Sequence, residues 1–182
     1  MRLPEDFPSL VTQLIADAAG RRAVIVIDGG SGAGKTGLAC ALANTLEERG
    51  IPGIQLVSMD SFYPDWQGLA AASAMLPEVL RTTNPGYWRW DWQTHRRLDR
   101  VPLNGAASMV LEGCGALTPE SQQLASTSIW LACAPQTRKQ RALSRDGEAF
   151  APHWEQWARQ ERQHWRTNRP RSLADIVVTA AH

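Results

Sequence analysis

A glycine-rich segment at residues 29–36 constrains the fold more than any other feature of the chain. It reads Gly-Gly-Ser-Gly-Ala-Gly-Lys-Thr and matches the pattern G-x-x-x-x-G-K-[ST]. A β-branched run at residues 23–27 precedes it, and Leu38, Leu42 and Leu46 follow it at helical spacing. This context predicts a strand buried on both faces, a tight loop and then a helix.

The same segment predicts a phosphate site. Glycines let the backbone wrap around a phosphate, at the start of a helix whose dipole favours negative charge. Lys35 is expected to reach the β- and γ-phosphates of ATP, and the Thr36 hydroxyl to ligate Mg²⁺. The alternative is a chance glycine-rich turn. The predicted nucleotide-binding residues are Gly29, Gly30, Ser31, Gly32, Ala33, Gly34, Lys35, Thr36 and Gly37.

Short apolar runs recur along the chain and predict the fold class. They lie at residues 54–58, 108–111, 128–132 and 175–178, with helical segments between them. Together with residues 23–27 they predict an α/β fold: three layers, with a five-stranded, mostly parallel sheet flanked by helices. The length of 182 residues and the lack of an internal repeat favour one domain over residues 1–182. We expect residues 61–104 to form a Trp-rich, substrate-binding insertion, and residues 138–150 a short lid.

Composition limits the partners. The chain has 19 Lys+Arg against 18 Asp+Glu, which argues against a nucleic-acid or membrane-surface binder. Cys40, Cys114 and Cys133 are widely spaced, without metal-ligand spacing, which favours a reducing, cytoplasmic location. No apolar run approaches the ~20 residues that span a bilayer. The expected partner is a diffusible small molecule, and a homodimer is left open.

The glycine-rich motif identifies a nucleotide rather than a reaction. A GTPase is expected to carry an N-K-x-D element, which the sequence lacks, and a motor needs a longer chain. The small size therefore favours an ATP-dependent kinase for a small molecule. The alternative is an ATP-binding switch, or a slow ATPase, that acts on a protein partner.

Two carboxylates follow predicted strands. Asp60 comes just after the second strand and is the candidate general base; the alternative is an Asp that only forms a turn. Glu112 ends the third strand, where an acidic group can contact the hydration shell of Mg²⁺. Its alternative is an ordinary surface Glu.

Arginines on one helix are the candidates for transition-state charge stabilisation. Arg138, Arg141 and Arg145 are three and four residues apart and fall near one helical face. Such a row can close over ATP as a lid, with Arg141 and Arg145 preferred as catalytic groups beside Lys35. Solvated surface arginines have the same spacing, so that alternative stays open.

Trp is unusually common, at 8 of the 13 aromatic residues. Trp154, Trp157 and Trp165 follow a helical stripe over residues 152–168 and are most simply explained by packing. A second group surrounds the segment where a substrate is expected, and alternation along an extended chain would place three of its members on one face. This second group consists of Trp66, Trp88, Trp90 and Trp92.

Several elements, in their order along the chain, resemble the uridine kinase-like family of P-loop kinases, which has a nucleoside monophosphate kinase-like fold. They are Asp28 before the loop, the string Asp60-Ser61-Phe62-Tyr63, the element Leu111-Glu112-Gly113, the helix with Arg138, Arg141 and Arg145, and the closing strand at residues 174–178. The likeness spans about residues 24–178. It is closest to actinobacterial members with Asp-x-Phe-Tyr-Pro-x-Trp and Pro-His-Trp-x-x-Trp strings, found here at residues 60–66 and 152–157.

The resemblance implies transfer of the ATP γ-phosphate to a primary hydroxyl, such as that of a nucleoside. It makes Asp60 the base, places Tyr63 beside the acceptor, assigns Glu112 to Mg²⁺ and gives Asp91 a role in holding ribose hydroxyls. The predicted acceptor-binding residues are Tyr63, Trp66, Trp90 and Asp91. The chain departs from the family in a shorter, less basic lid after Asp146 and in the composition of residues 86–95, so the acceptor is left open.

Overall fold

The computed structural model describes residues 5–180. The strands are β1 (Val24–Asp28), β2 (Gln55–Ser58), β3 (Gly86–Asp91), β4 (Arg96–Pro102), β5 (Met109–Gly113), β6 (Thr127–Ala132) and β7 (Ile176–Thr179). The helices are α1 (Phe7–Ala18), α2 (Lys35–Glu48), α3 (Leu69–Leu80), α4 (Pro119–Leu124), α5 (Pro135–Phe150), α6 (Trp154–Asn168) and α7 (Pro170–Leu173).

Five of the strands form one parallel sheet in the order β2-β5-β1-β6-β7. The central strand β1 is buried along its whole length, as its β-branched sequence predicts. Its last residue, Asp28, is in register with Gly113 on one side and Trp130 on the other. The glycine-rich loop therefore leaves the sheet at its carboxyl edge, where open α/β sheets bind ligands.

Alternate residues of the strands face two separate cores. Val24 and Val26 point into a core shared with α3 and α6, whereas Ile25 and Ile27 point into a core shared with α1 and α2. Helices thus cover both faces of the sheet, which confirms the predicted three-layer α/β class. All five strands run parallel, and each predicted strand is present with ends shifted by one or two residues.

Residues 61–104 hold more regular structure than their weak periodicity predicts. Helix α3 forms despite an internal Pro77, because Leu69, Leu76 and Leu80 bury one face in the core. After it, β3 and β4 pair with each other as an antiparallel hairpin, separate from the main sheet. The expectation that this segment binds a substrate remains a prediction. Within residues 5–180, no helix combines the length and apolar character needed to cross a membrane.

The packing of the sheet gives a direct test. Leu111, on β5, is fully buried, whereas Leu56, on the neighbouring edge strand β2, is 44% exposed. Truncation of Leu111 to Ala leaves a cavity, so we expect it to lower the free energy of unfolding by about 2–5 kcal/mol in urea titrations. Leu56→Ala is the matched control, with a change within about 0.5 kcal/mol. Equal effects for the two variants would contradict this description of the core.

Candidate active site

A cavity of about 1290 Å³ opens at the carboxyl edge of the sheet. The loop after β1, the turn after β2 and the end of β5 contribute to its lining. The β3–β4 hairpin and the junction of α5 with α6 supply the rest. Sequence-distant groups meet here because β1, β5 and β2 are neighbours in the sheet and end at the same edge.

The glycine-rich loop presents only part of its length to the cavity. Gly32 and Gly34 have φ angles of 77° and 98°, a conformation that favours glycine. The first turn of α2 follows, and its N–H groups have no carbonyl acceptor within the helix. Six of the nine predicted nucleotide-binding residues line the cavity: Ser31, Gly32, Gly34, Lys35, Thr36 and Gly37.

The remaining three residues, Gly29, Gly30 and Ala33, belong to the loop but do not line the cavity. Gly29 donates its N–H to the Asp28 carboxylate at 2.6 Å, and Ala33 packs into the core below α2. Gly30 is buried, and a Cβ atom at that position would lie 2.0 Å from the Arg138 guanidinium. These three residues therefore shape the loop and do not face the cavity.

Lys35 is buried at the inner end of the loop. Its Nζ donates to the Gly30 carbonyl and to Cys114 Sγ, each at 3.3 Å. Burial alone would lower the pKa of Lys35, but the negative charge around it, including Glu112 and Glu161, raises the pKa above its ordinary value. The ammonium is therefore positively charged at neutral pH, as a phosphate-binding group must be.

Three oxygen-bearing side chains meet beside Lys35. Glu112 Oε1 accepts hydrogen bonds from Thr36 Oγ1 at 3.1 Å and from Ser58 Oγ at 2.7 Å. Glu112 is only 3% exposed, which excludes the alternative of an ordinary surface Glu. Ser58, at the end of β2, is a partner that the sequence analysis missed.

Asp60 lies in a single 3₁₀ turn, Met59–Ser61, directly after β2. It is open to solvent and lines the cavity. Dense protein around the carboxylate raises its pKa, and repulsion from Glu112 acts in the same direction, whereas Lys35 and Arg145 oppose both. The backbone carbonyl of Asp60 accepts a hydrogen bond from Trp92 Nε1 at 2.9 Å. The hairpin is thus tied to the turn that carries Asp60.

Arg138, Arg141 and Arg145, the three arginines predicted to form a lid, have different surroundings. Arg145 lines the cavity, and one edge of its guanidinium binds Asp146: Nε and Nη2 donate to the two carboxylate oxygens at 2.8 and 2.7 Å. Arg141 lies outside the cavity lining. Arg138 is buried against the glycine-rich loop and pairs with Glu161 at 3.1 Å, so it belongs to the core and not to an exposed lid face. The helical regularity of α5 breaks at Gly147, with φ 53° and ψ −133°.

Several aromatic rings line the cavity near the hairpin and the α5–α6 junction, but the rings are not equivalent. Trp66 stacks on His153 at 4.3 Å and on Phe150 at 5.4 Å, and Trp92 packs against it at 4.8 Å. Trp90 also lines the cavity, and its buried indole N–H has no hydrogen-bond partner within residues 5–180. Trp66 is therefore largely held by protein rings, whereas Trp90 keeps an unused donor.

Trp88, Trp90 and Trp92 do not share one face, contrary to the alternation argument. A register shift in the β3–β4 pairing separates Trp88 from Trp90, and Trp92 lies beyond the end of β3. Trp88 is 42% exposed and packs under the Arg97 guanidinium instead. Trp157, which the helical stripe assigned to packing, both contacts Tyr63 and lines the cavity.

Asp91 and Tyr63 are occupied by internal hydrogen bonds. The Asp91 carboxylate accepts from the N–H groups of Gln93 and Thr94 and from the Thr94 hydroxyl, and Asp91 lies outside the cavity lining. It therefore holds the hairpin turn in this structure. Tyr63 does line the cavity, but its hydroxyl donates to the Cys114 carbonyl at 2.8 Å.

Helix α6 supplies two site residues that the sequence analysis missed. Glu161 binds the Ser31 N–H at 2.6 Å, and His164 binds Asp28 at 3.0 Å. A signal for both was present, because they are polar side chains on the apolar stripe of α6. A charged group on a buried face must find a partner.

Tyr63→Phe tests the structural role of the Tyr63 hydroxyl. Loss of its hydrogen bond leaves the buried Cys114 carbonyl without that donor, so we expect the free energy of unfolding to fall by about 1–3 kcal/mol in urea titrations. Tyr87→Phe is the control, since Tyr87 is only half-buried on the hairpin. An unchanged stability for Tyr63→Phe would mean that the hydroxyl is free for another partner.

The fold and the loop together define a class. A parallel sheet with this glycine-rich loop at the end of its central strand, followed directly by a helix, is the P-loop NTPase fold. Lys35, Thr36, Asp60 and Glu112 line a single cavity together with Tyr63, Trp66 and Trp90.

Two solved structures with the same fold are described as kinases. One is a possible uridine kinase from Bacillus stearothermophilus, with a TM-score of 0.69, 21% identity and a match over 97% of this chain and 98% of that chain. Another is a proposed fructose transport system kinase from Silicibacter sp. TM1040, with a TM-score of 0.60, 17% identity and a match over 93% and 97% of the two chains. No protein-family model and no curated protein matches the chain. With sequence identities of 21% and 17%, the similarity establishes a shared fold. It confirms the expected resemblance to uridine kinase-like P-loop proteins in fold.

Proposed function

We propose that the chain is an ATP-dependent kinase that phosphorylates a hydroxyl group of a small molecule. The observation that carries the proposal is the shared cavity. Lys35 and Thr36 of the glycine-rich loop, Trp90 of the hairpin and Asp60 of the turn after β2 all line it. The likeness to a possible uridine kinase and a proposed sugar-transport kinase supports the same class of reaction.

The donor set beside the loop suits Mg²⁺. Thr36 and Ser58 offer hydroxyl oxygens and Glu112 offers a carboxylate, and Mg²⁺ prefers such hard oxygen ligands. No group of three or more His, Cys, Asp or Glu residues within residues 5–180 is placed to hold a metal ion by itself. Thr36, Ser58 and Glu112 are the residues that would hold the cation. When bound, Mg²⁺ would neutralise charge on the phosphate oxygens.

The reaction follows from these positions. The acceptor oxygen forms a bond to the γ-phosphorus while the bond from that phosphorus to the β–γ bridging oxygen breaks, and ADP leaves. Asp60 takes the proton of the acceptor hydroxyl, and its raised pKa makes it a better base than an ordinary Asp. Lys35 and the N–H groups at the start of α2 bind the phosphate oxygens.

The acceptor side favours a ring-bearing molecule. Aromatic side chains bind flat or ring-shaped ligands by stacking, and Trp66, Trp90 and Trp92 line this cavity. A nucleoside has such a ring. Purified protein with Mg-ATP should therefore be screened first against nucleosides, then against sugars and other alcohols, with ADP release as the readout.

Asp60→Asn tests the base. We expect the variant to lose about 10²–10⁴-fold in kcat, because Asn cannot accept the proton, while its Kd for Mg-ATP stays close to that of the wild type. Calorimetric titration measures binding, and coupled ADP release measures turnover. Asp17→Asn, on α1 away from the cavity, is the matched control and should be unaffected in both. Turnover that survives in Asp60→Asn would exclude this role.

Trp90 has its own test once an acceptor is found in the screen. Trp90→Ala removes an aromatic ring that lines the cavity, so we expect the KM for the acceptor to rise about tenfold, with the KM for ATP unchanged. Trp90→Phe keeps an aromatic ring and should recover most of that loss. Trp88→Ala, an exposed residue on the same strand, is the control. An unchanged acceptor KM in Trp90→Ala would rule out stacking of the acceptor on this ring.

A second candidate is an ATP-binding switch or slow ATPase. Arg145 favours it, because the Asp146 carboxylate already occupies the guanidinium that a kinase would turn to the γ-phosphate. The screen separates the two functions. A kinase releases ADP in proportion to the added acceptor, whereas a switch binds ATP and shows the same slow hydrolysis with every acceptor tested.

A further inference from the structure

Ser31, within the glycine-rich loop, is held from both sides by one ion pair. Its N–H donates to Glu161 Oε1 at 2.6 Å, and its carbonyl accepts from Arg138 Nη1 at 3.0 Å. Arg138 Nη1 also binds Glu161 Oε2 at 3.1 Å. Ser31 from the loop, Arg138 from α5 and Glu161 from α6 thereby form a closed ring of hydrogen bonds. Glu161 is 2% exposed and Arg138 is 7% exposed, so water does not compete for these bonds.

The loop is fitted closely around Arg138. A Cβ atom at Gly30 would lie 2.0 Å from Arg138 Nη1, and one at Gly32 would lie 2.1 Å from the Arg138 carbonyl oxygen. Any side chain at either position would displace Arg138 or the loop. These two glycines are therefore needed for contact with α5, in addition to any need for contact with a phosphate.

The ring also reaches the phosphate-binding lysine. Glu161 Oε1 lies 3.4 Å from Cys114 Sγ, which in turn lies 3.3 Å from Lys35 Nζ. Lys35 also donates to the carbonyl of Gly30, the residue before Ser31. A shift of Ser31 would therefore move both the loop backbone and an acceptor of the Lys35 ammonium.

Stability alone is a poor explanation for such a pair. Taking two charges out of water costs several kcal/mol per ion, and well-packed apolar side chains often replace a buried ion pair without loss of stability. A ring of directed hydrogen bonds does something that apolar packing cannot, because it fixes the orientation of one peptide unit. The Ser31 N–H is committed to Glu161, so the loop has its shape set without a phosphate contact at that atom.

We propose that Glu161 and Arg138 are positioning residues that hold the glycine-rich loop in its phosphate-binding shape before a nucleotide arrives. The inference rests on the nucleotide-binding part of the proposed function and not on the acceptor. Their loss would leave the loop to be ordered at the moment of binding, at a cost in affinity. Neither residue needs to touch the nucleotide.

Affinity for the phosphate group is the decisive measurement. Mg-ADP and inorganic tripolyphosphate are titrated by calorimetry into the full chain, well below the melting temperature of each variant. Tripolyphosphate carries no base or sugar, so it reports on the loop alone. For Glu161→Ala we expect the Kd of both probes to rise by about 10–100-fold, the effect of losing a charge-assisted hydrogen bond. Glu161→Gln keeps an oxygen acceptor for the Ser31 N–H and should recover part of that loss.

Asp175→Ala is the matched control for simple destabilisation. The Asp175 carboxylate also binds a backbone N–H and a hydroxyl, both of Ser128, but at the opposite end of the sheet. We expect it to lower the melting temperature and leave both Kd values unchanged. If Glu161→Ala fails to fold, Glu161→Gln and Arg138→Lys carry the test, with a rise in both Kd values expected for Arg138→Lys.

The outcomes separate this inference from the kinase proposal. Unchanged Kd values in Glu161 and Arg138 variants that melt at lower temperature would overturn the positioning role. A wild type that binds neither probe would overturn it as well. A wild type that binds both probes, loses affinity in the variants and phosphorylates no acceptor would support the positioning role while the kinase proposal fails.

Discussion

The Asp28 carboxylate is the interaction on which the site depends. It is completely buried at the end of β1 and accepts N–H groups from Gly29, Gly115 and Leu117, as well as a bond to His164. Three stretches of chain therefore converge on one charge. A buried carboxylate without hydrogen-bond partners would carry a large free-energy cost of desolvation. The fold therefore needs all three segments at this point. The glycine-rich loop starts from this fixed point, and α6 is part of the same arrangement.

Most of the fold could be predicted from the sequence, because its signals are local. Apolar runs of strand length and the loop motif each lie within a few residues, and the parallel order follows from alternation with helices. Helix α3 is not predicted from the sequence, because Pro77 and the weak spacing of its apolar residues are unfavourable for a helix. The helix forms nevertheless, because Leu76 and Leu80 are buried in the core. Burial of that kind depends on tertiary packing, which the local sequence does not specify.

The site was only partly predictable, for a related reason. Lys35, Thr36, Asp60 and Glu112 could be grouped because each lies at or soon after the carboxyl end of a strand, and neighbouring parallel strands end together. The hydrogen bond from the Ser31 N–H to Glu161 joins residues 130 positions apart in the chain, and no spacing rule connects them. The hydrogen bonds that occupy Asp91 in the hairpin turn and Arg145 in α5 also depend on contacts that residue type alone does not specify.

The hairpin formed by β3 and β4 pairs only with itself within residues 5–180, although the chain enters and leaves it between two strands of the main sheet. Its length and composition are therefore not bound by the register of that sheet. The bond from Trp92 to the Asp60 carbonyl links it to the turn after β2 through a backbone atom, which any residue at position 60 would offer. The hairpin and the glycine-rich loop are thus encoded in separable parts of the chain, and a grafted hairpin would change the lining of the cavity while the loop and its supports on α5 and α6 keep their sequence.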